Sequence, residues 1–373
     1  MGRKDAIFTI AWLAVISVMF AGCGGSSGVG GGGGGLDYGP PFGEIFFNDG
    51  SGNLATVASV ESNADPLYFP GIGLNGAVSD LGFGFILSQN SNDTNADVVA
   101  YDIESSMLYV IDEDGEETSS YFDGEEAVEN LYALSSGGSR LVYVRELGSD
   151  HELILAGVTT STVVQLAALG TGERYYGRPA IYISGSKNRI VMMIENTDTQ
   201  DTKLVCYSNE GDVLGTLSIP VQAVSMDPDG DYIAFIDAEE QNEIIFYDDD
   251  LENEQWRADF SEFGTGVSAL SWSPDGEKIA FFTGAAGTTG KLVVYDLGDD
   301  AFQQVFHDDT YIFPIGSDKL WAAPAWNPNG NELAFTVRTG DGMYNVVKTD
   351  LAGVTTTLYE DVGDTRYVVW MSE

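Results

Sequence analysis

Histidine and cysteine are scarce in this chain of 373 residues, which narrows the chemistry open to it. There are two histidines, His151 and His307, and two cysteines, Cys23 and Cys206. Neither histidine stands in a metal-ligand spacing such as His-x-x-x-His, so a histidine-rich metal site is excluded. We predict no catalytic residues, no metal ligands and no cofactor; a structural calcium ion, with no site assigned to it, stays open.

Basic residues are also few. The chain has 16 Lys and Arg against 58 Asp and Glu, which gives a formal net charge of -42 at pH 7. A field of this sign repels nucleic acid and anionic lipid, so we expect no nucleic-acid partner. Two explanations of the charge stay open: a solvated surface suited to saline surroundings, and a face that binds cations or a basic partner.

Amphipathic helical periodicity is missing beyond the N-terminal region. Hydrophobic residues make up 43% of the chain and aromatic residues 12%, and there are 46 glycines. A composition of this kind without a helical period predicts a large all-β core.

One strand–turn–strand phrase recurs in the second half of the chain. Its clearest copy, residues 271–281, reads Ser-Trp-Ser-Pro-Asp-Gly-Glu-Lys-Ile-Ala-Phe, and it returns at 226–235 and 326–335. Pro presets φ for a turn, the Asp or Asn after it is expected to close the turn through its side chain, and Gly takes the positive φ. The apolar run that follows is typical of a buried strand.

Two fainter copies extend the series upstream, at 134–143 and at 183–191, where Lys187 stands in place of Gly. With residues 138, 187, 230, 276 and 330 as register marks, the separations are 49, 43, 46 and 54 residues. Strand-only repeats of about 40 to 50 residues are typical of β-propeller blades. The longest separation predicts an insertion.

The chain ends supply one composite blade. Residues 366–371 resemble the start of a first strand, and residues 45–47, 54–58 and 67–69 provide three further strands. We therefore predict an all-β fold: a single β-propeller of four-stranded blades over residues 43–373, closed by pairing of the C-terminal strand with N-terminal strands. The count is seven blades, with six as the alternative because residues 71–95 are hard to register.

The N-terminus has the pattern of an export signal. Arg3 and Lys4 precede an apolar run of 17 residues that ends in Phe-Ala-Gly before Cys23. This end resembles the bacterial lipobox, which implies a signal peptide at 1–22 and a lipid on Cys23. An uncleaved membrane anchor is the alternative. With Cys23 acylated, Cys206 has no intramolecular partner and is expected to be a buried thiol.

A flexible tether is predicted after the lipidated cysteine. Residues 24–35 contain nine glycines in 12 positions, and the tether extends to residue 42. Gly24 directly after Cys23 resembles the sorting signal of outer-membrane lipoproteins in enteric bacteria. The resemblance implies an exported protein anchored in the cell envelope, at the outer membrane.

The phrase at 272–281, Trp-Ser-Pro-Asp-Gly-x-x-Ile-Ala-Phe, resembles the TolB-type, WD40-like (PD40) propeller repeat of exported bacterial proteins. The resemblance covers residues 43–373 and implies a propeller that binds a protein or peptide of the envelope. Prolyl-oligopeptidase-like peptidases share such blades but need a separate hydrolase domain. Oligogalacturonate lyases also resemble this repeat, but they bind their metal through several histidines.

Two segments that precede register marks are the candidate binding loops, because such loops gather at the mouth of a propeller channel. The first contains Arg174, Tyr175, Tyr176 and Arg178, a composition typical of binding hot spots. The second lies in the predicted insertion and contains Tyr311, Phe313 and Trp321. The alternative for both is that the aromatic rings pack onto neighbouring blades.

Two functions follow as hypotheses. The first is a monomeric, non-enzymatic envelope scaffold that binds a protein or peptide at the channel mouth. The second is an extracytoplasmic enzyme or binding protein for glycans that uses carboxylates of the channel.

Overall fold

The structure of the protein is a computed structural model. It describes the strands up to residue 121 that are given below, and residues 126–135, 139–148, 150–157, 160, 162–265, 270–284, 290–307, 323–362 and 368–370. No helix of this part is long and apolar enough to cross a membrane. The predicted signal peptide, Cys23 and the tether lie outside it.

Strands account for nearly all of the regular structure, which confirms the all-β prediction. In five sheets most side chains are described. Sheet 3 consists of β8 (Glu126–Leu134), β9 (Arg140–Leu147), β10 (Asp150–Gly157) and β11 (Val163–Leu169). Sheet 4 consists of β12 (Glu173–Ser184), β13 (Lys187–Asn196), β14 (Thr202–Tyr207) and β15 (Val213–Leu217).

The same order repeats three more times. Sheet 5 consists of β16 (Val221–Met226), β17 (Tyr232–Asp237), β18 (Glu243–Asp248) and β19 (Glu254–Asp259). Sheet 6 consists of β20 (Ser271–Trp272), β21 (Lys278–Thr283), β22 (Lys291–Asp296) and β23 (Ala301–His307), and a 3-10 turn at Ser261–Phe263 precedes it. Sheet 7 consists of β24 (Ala325–Trp326), β25 (Glu332–Arg338), β26 (Tyr344–Asp350) and β27 (Thr355–Val362).

Backbone pairing defines two more groups of four strands. Sheet 2 consists of β4 (Phe85–Leu87), β5 (Val98–Asp102), β6 (Met107–Ile111) and β7 (Glu117–Tyr121). Sheet 1 contains β1 (Glu44–Asn48), β2 (Leu54–Ala58) and β3 (Leu67–Tyr68), and β28 (Val368–Trp370) pairs antiparallel with β1. The count of blades and their closure into one ring stay predictions.

Sheets 4 to 7 are covered on both faces. The second and third strands read as continuous apolar runs, and residues 279–282 of β21 are all at most 1% exposed. The reason is that the buried residues form clusters shared by consecutive sheets: 3 with 4, 4 with 5, 5 with 6, 6 with 7, and 7 with the β1–β28 pair. Face-to-face stacking of four-stranded antiparallel sheets in chain order is the arrangement of propeller blades.

The recurring turn is closed by the residue before the proline, which corrects one prediction. Ser273 is fully buried, and its Oγ accepts a hydrogen bond from the Lys278 amide at 2.9 Å. Asp227 and Asn327 accept from the amides of Tyr232 and Glu332 in the same way. The Asp after the proline is exposed and adds contacts only locally, as Asp275 does by accepting from Ser273 Oγ. A polar side chain at a buried position needs a hydrogen-bond partner, so the residue before the proline is the one that makes this bond.

The glycine of the turn meets two requirements at once. Gly230, Gly276 and Gly330 have φ of 68°, 71° and 66°, a region that residues with a Cβ disfavour. Two of them also lie against the corresponding turn of the preceding sheet: a Cβ on Gly276 would be 3.5 Å from Pro228, and one on Gly330 would be 3.5 Å from Asp275. A Cβ on Gly230 would clash with the ring of Tyr182 on β12. The turns of sheets 5 to 7 therefore form a stack that begins on a strand of sheet 4.

Sheet 4 departs from the repeat. Ser184 pairs with Lys187, which leaves a two-residue turn whose glycine, Gly185 at φ 59°, lies two residues before Lys187. Lys187 instead begins β13 and reaches sheet 5, where its Nζ lies 2.5 Å from Asp231 Oδ1. Arg189 of the same strand contacts Asp249 at 2.8 Å. In sheet 4, ion pairs to sheet 5 therefore stand where the other sheets have the turn motif.

The outer strands are partly covered by the next sheet. A Cβ on Gly211 would clash with the Leu166 carbonyl oxygen of β11, and one on Gly353 would be 3.3 Å from the Val305 carbonyl oxygen of β23. Gln303 of β23 donates to the Leu351 carbonyl at 2.6 Å. Turns that cover an edge strand prevent it from pairing with another chain.

The buried turn position is testable in sheet 6. Ser273→Ala removes the acceptor of the Lys278 amide inside the fold, and we expect a loss of about 1 to 2 kcal/mol in the free energy of unfolding. Asp275→Ala, at the exposed position, should cost less than half as much. Urea titration of both variants measures the difference; an equal loss would show that the exposed Asp closes the turn.

The glycine stack predicts a ranking of alanine substitutions. Gly276→Ala should cost about 1 to 2 kcal/mol because of its positive φ, and Gly230→Ala should cost more because the Tyr182 ring must also move. Gly340→Ala is the matched control, since its Cβ would meet open space and its φ is ordinary. Unfolding midpoints that do not separate these three variants would contradict this account.

Candidate functional site: the inner strands of sheets 3 to 5

The predicted binding residues fall in two parts of the chain. Arg174, Tyr175, Tyr176 and Arg178 are described. Tyr311, Phe313 and Trp321, like the lipidation residue Cys23, lie outside the described residues, so their roles stay predictions.

The first candidate segment is part of a strand, not a loop. All four residues belong to β12, the first and innermost strand of sheet 4, which with 12 residues is longer than the first strands of sheets 5, 6 and 7. Because successive residues of a strand point to opposite faces, the two tyrosines enter different cores. Tyr175, 2% exposed, joins the cluster between sheets 3 and 4, and Tyr176 packs on the cluster between sheets 4 and 5.

Tyr176 also holds sheet 5 by a hydrogen bond. Its hydroxyl donates to the Val221 carbonyl at 2.8 Å, at the start of β16. Thr202 binds the same connection, since its Oγ1 donates to Ile219 and accepts from the Val221 amide. Burial raises the pKa of Tyr176 to about 12 and also raises that of Tyr175, so both are neutral hydroxyls at pH 7. These two tyrosine rings therefore pack onto neighbouring sheets, which is the alternative given in the sequence analysis.

The two arginines of the segment are placed differently. Arg174 is exposed, with 46% of its side chain accessible, and it pairs with Glu195 of β13 at 2.5 Å. Arg178 is half-buried and lies between Gly177 and Pro179, where β12 loses its register with β13. Of the described candidates, these arginines are therefore the side chains that a ligand could reach.

The loss of register at Arg178 belongs to a series. Inner strand β8 shifts register between Ala127 and Tyr132, β12 between Tyr176 and Ala180, and β16 between Val221 and Ala223. The shifts of β8 and β12 lie about midway along the second strand of their sheets, and that of β16 lies at the end of β17. β12 contacts both β8 and β16. Bulges re-aim side chains and are frequent next to functional sites.

Gln222, the residue at the bulge of β16, was not foreseen. It is half-buried on the inner strand next to the one that carries Arg178. Its bulge has no glycine or proline, so the sequence contains no sign of it. For Arg178 such a sign exists, because a glycine and a proline two positions apart interrupt strand pairing.

The two histidines do not meet. His151 lies on β10 of sheet 3, while His307 ends β23 of sheet 6 and its Nδ1 lies 3.1 Å from the Gly290 carbonyl oxygen. Among the described residues, no group of three His, Cys, Asp or Glu side chains is arranged to hold a metal ion. Cys206 is buried, and burial raises the pKa of its thiol to about 12.

Most cations of the described part are used inside the fold. They form ion pairs within a sheet or between neighbouring sheets: Arg145, Arg174, Lys187, Arg189, Lys203, Arg257, Lys278 and Lys348. The excess carboxylates are left on the turns, including exposed Glu210, Asp212 and Glu239. In the part of the chain that the structure describes, the excess negative charge is therefore presented to solvent.

Comparison with solved structures identifies the fold as a β-propeller. TolB from Acinetobacter baumannii matches with a TM-score of 0.50 and 14% identity over 90% of this chain and 68% of that one. A functionally unknown protein from Desulfotomaculum acetoxidans matches with a TM-score of 0.58 and 10% identity over 89% and 99%. An oligogalacturonate lyase from Vibrio parahaemolyticus matches with 0.54 and 11% over 85% of each chain.

No protein-family model and no curated protein matches the sequence. At these identities the structural likeness shows the propeller fold and no activity, since the similar structures include an enzyme and a protein of unknown function.

His151 gives a prediction for the pH dependence of stability. Burial lowers its pKa, Arg174 adds to this and Glu146 opposes it, and the buried Nδ1 has no hydrogen-bond partner in the described part. Because the unfolded histidine has a pKa of about 6.5, the folded protein binds this proton less readily, and stability present above that pH is lost as the pH falls below it.

His151→Gln should therefore reduce the loss of stability between about pH 7.5 and 5.5, a range that brackets the unfolded pKa. Urea titrations at both pH values give the change in the free energy of unfolding for each protein, and this change is then compared between the wild type and the variant. Parallel pH profiles for the two proteins would show that His151 is protonated as easily in the folded state as in the unfolded chain.

Proposed function

We propose that this protein is a lipid-anchored scaffold of the bacterial cell envelope whose propeller binds a protein or peptide at the channel mouth and performs no chemistry on it. The observation that carries the proposal is the row of bulges in β8, β12 and β16. These bulges interrupt three neighbouring inner strands and put Arg178 and Gln222 at positions outside the regular sheet pairing.

Seven blades closed into a ring are part of the proposal. Contacts between inner strands run from β4 to β8, β12, β16, β20 and β24 in turn, and β28 contacts both β24 and β4. The pairing of Ile45 with Trp370 joins the two ends of the chain in one sheet. Trp326 of β24 also donates to the Ser271 carbonyl of β20 at 2.9 Å, a bond between neighbouring inner strands.

Membrane attachment rests on the sequence. The apolar run that ends at Cys23 and the glycine-rich segment to residue 42 support a lipid anchor with a tether, at the outer membrane. The proposed binding segment is held in place, because Arg174 pairs with Glu195 and the neighbouring tyrosines pack in two cores.

Partner recovery from membranes tests the proposal. The full-length, lipidated protein is crosslinked in solubilised membranes, purified, and its partners are quantified by mass spectrometry. Arg174→Ala with Arg178→Ala should reduce the recovered partner by about tenfold, a typical loss for interface arginines. The tyrosines are left intact because truncating a packed aromatic ring costs about 3 to 5 kcal/mol and would unfold the site.

Arg257→Ala is the matched control. Arg257 lies exposed on the outer strand β19 and is ion-paired with Glu254 and Glu243, so it resembles Arg174 in environment but not in place. Equal recovery from the double variant and the wild type would remove the proposed site. Turnover of a polysaccharide that is abolished by replacing one inner-strand carboxylate would instead support the glycan-active alternative.

A further inference from the structure

Among the described residues, three of the five large exposed hydrophobic side chains lie on two adjacent outer strands. Within the described residues, the large exposed hydrophobic side chains are Leu147, Val163, Val164, Val213 and Val354. Three of them, Val163, Val164 and Val213, stand at the start of the outermost strands of two adjacent sheets, β11 and β15. Single exposed apolar residues are normal, whereas several on adjacent strands indicate an interaction surface.

The two strands are brought together by a glycine contact. Gly211 lies so close to the Leu166 carbonyl oxygen that a Cβ there would clash. Val164 and Val213 are each two residues from this contact, which is at most about 7 Å along the chain on either side. An extended segment of about six residues is therefore long enough to touch both.

The edge of β11 is open before this contact. β11 is the outermost strand of sheet 3, and in the described part no other strand pairs with its outer edge. Residues 163–165 are exposed, and Gly211 covers the strand only at Leu166. Strand 163–169 contains no charged residue and no proline, the devices that protect an edge from a further strand.

Two carboxylates lie on the turn that contacts the open edge. Glu210 and Asp212 flank Gly211, both are exposed, and neither forms an ion pair within the described residues. A second copy of this chain would bring its own Glu210 and Asp212 to the same place and add like charge. A partner with basic side chains would neutralise them.

We propose that the outer corner of sheets 3 and 4, defined by Val163, Val164, Val213, Glu210 and Asp212, binds an extended segment of a partner protein in which basic and aliphatic residues alternate. The segment adds to the free edge of β11, its aliphatic side chains contact the valines, and its cations meet the two carboxylates. This surface deepens the proposed scaffold function, since it lies on the outer wall, apart from the channel mouth.

The probe is a fluorescein-labelled peptide of sequence Lys-Val-Lys-Val-Lys-Val-Lys, and the readout is fluorescence anisotropy at low and high salt. Val164→Ser with Val213→Ser should weaken binding by about tenfold, as expected for the loss of two aliphatic contacts. The matched control is Val354→Ser, because Val354 is 66% exposed at the equivalent turn of sheet 7 and should leave binding unchanged.

The charge contribution is tested separately. Glu210→Gln with Asp212→Asn should weaken binding and reduce its salt dependence. Glu239→Gln with Glu240→Gln removes the same charge at the opposite end of sheet 5 and should have little effect. Equal effects of the two pairs would mean that the peptide follows net charge only, which overturns the proposal.

Two further outcomes also decide the question. Equal binding of a peptide with the same residues in blocks, four lysines then three valines, would overturn the requirement for alternation. Sedimentation velocity that shows a wild-type dimer dissociated by Val164→Ser with Val213→Ser would assign the surface to a second copy of the chain. Loss of partner recovery in the Arg174 and Arg178 variant leaves this result untouched, so the two proposals fail independently.

Discussion

The described part of the structure depends on burying both faces of sheets 4 to 7. A four-stranded antiparallel sheet that is apolar on both faces is insoluble alone. Each of sheets 4 to 7 shares one core with the sheet before it and another with the sheet after it, and for sheet 3 the core shared with sheet 4 is described. Burial of this kind, at about 25 cal/mol per Å² of apolar surface, is the main favourable term for folding. The alternation of tyrosines at 175 and 176 follows directly from it, because one strand supplies rings to two cores.

The same constraint explains the recurring turn. Consecutive sheets can approach closely only if the turns at their ends also fit, and Gly276 and Gly330 allow each turn to lie on the one before it. Charge is distributed in agreement with this stack. The turn of sheet 5 reads Asp-Pro-Asp-Gly-Asp and is met by Lys187 of sheet 4, whereas the turn of sheet 7 reads Asn-Pro-Asn-Gly-Asn and lies beside Asp275. Neutral amides next to an existing carboxylate avoid repulsion between like charges.

The candidate sites differ in how they relate to the repeat. Arg178 and Gln222 lie where the inner strands depart from regular pairing, and the valines of the outer corner lie where an outer strand is left partly uncovered. Both places depart from the regular repeat, which is why the two proposals are built on them. The fold itself is shared with proteins of several kinds, so function must be sought at such departures.

The sequence by itself determined the all-β class, the strand order within the repeats and the positive φ of the turn glycines, because these depend on local periodicity and on backbone sterics. It also placed strands such as β5 and β6 correctly without a complete motif. Three features were decided only by tertiary structure. Tyr175 and Tyr176 are core residues because sheets 3 and 5 stand on either side of β12; Ser273, not Asp275, closes its turn because only the former is buried; and Lys187 forms an ion pair because sheet 5 places Asp231 beside it. Each of these outcomes depends on a neighbouring sheet, which local sequence does not specify.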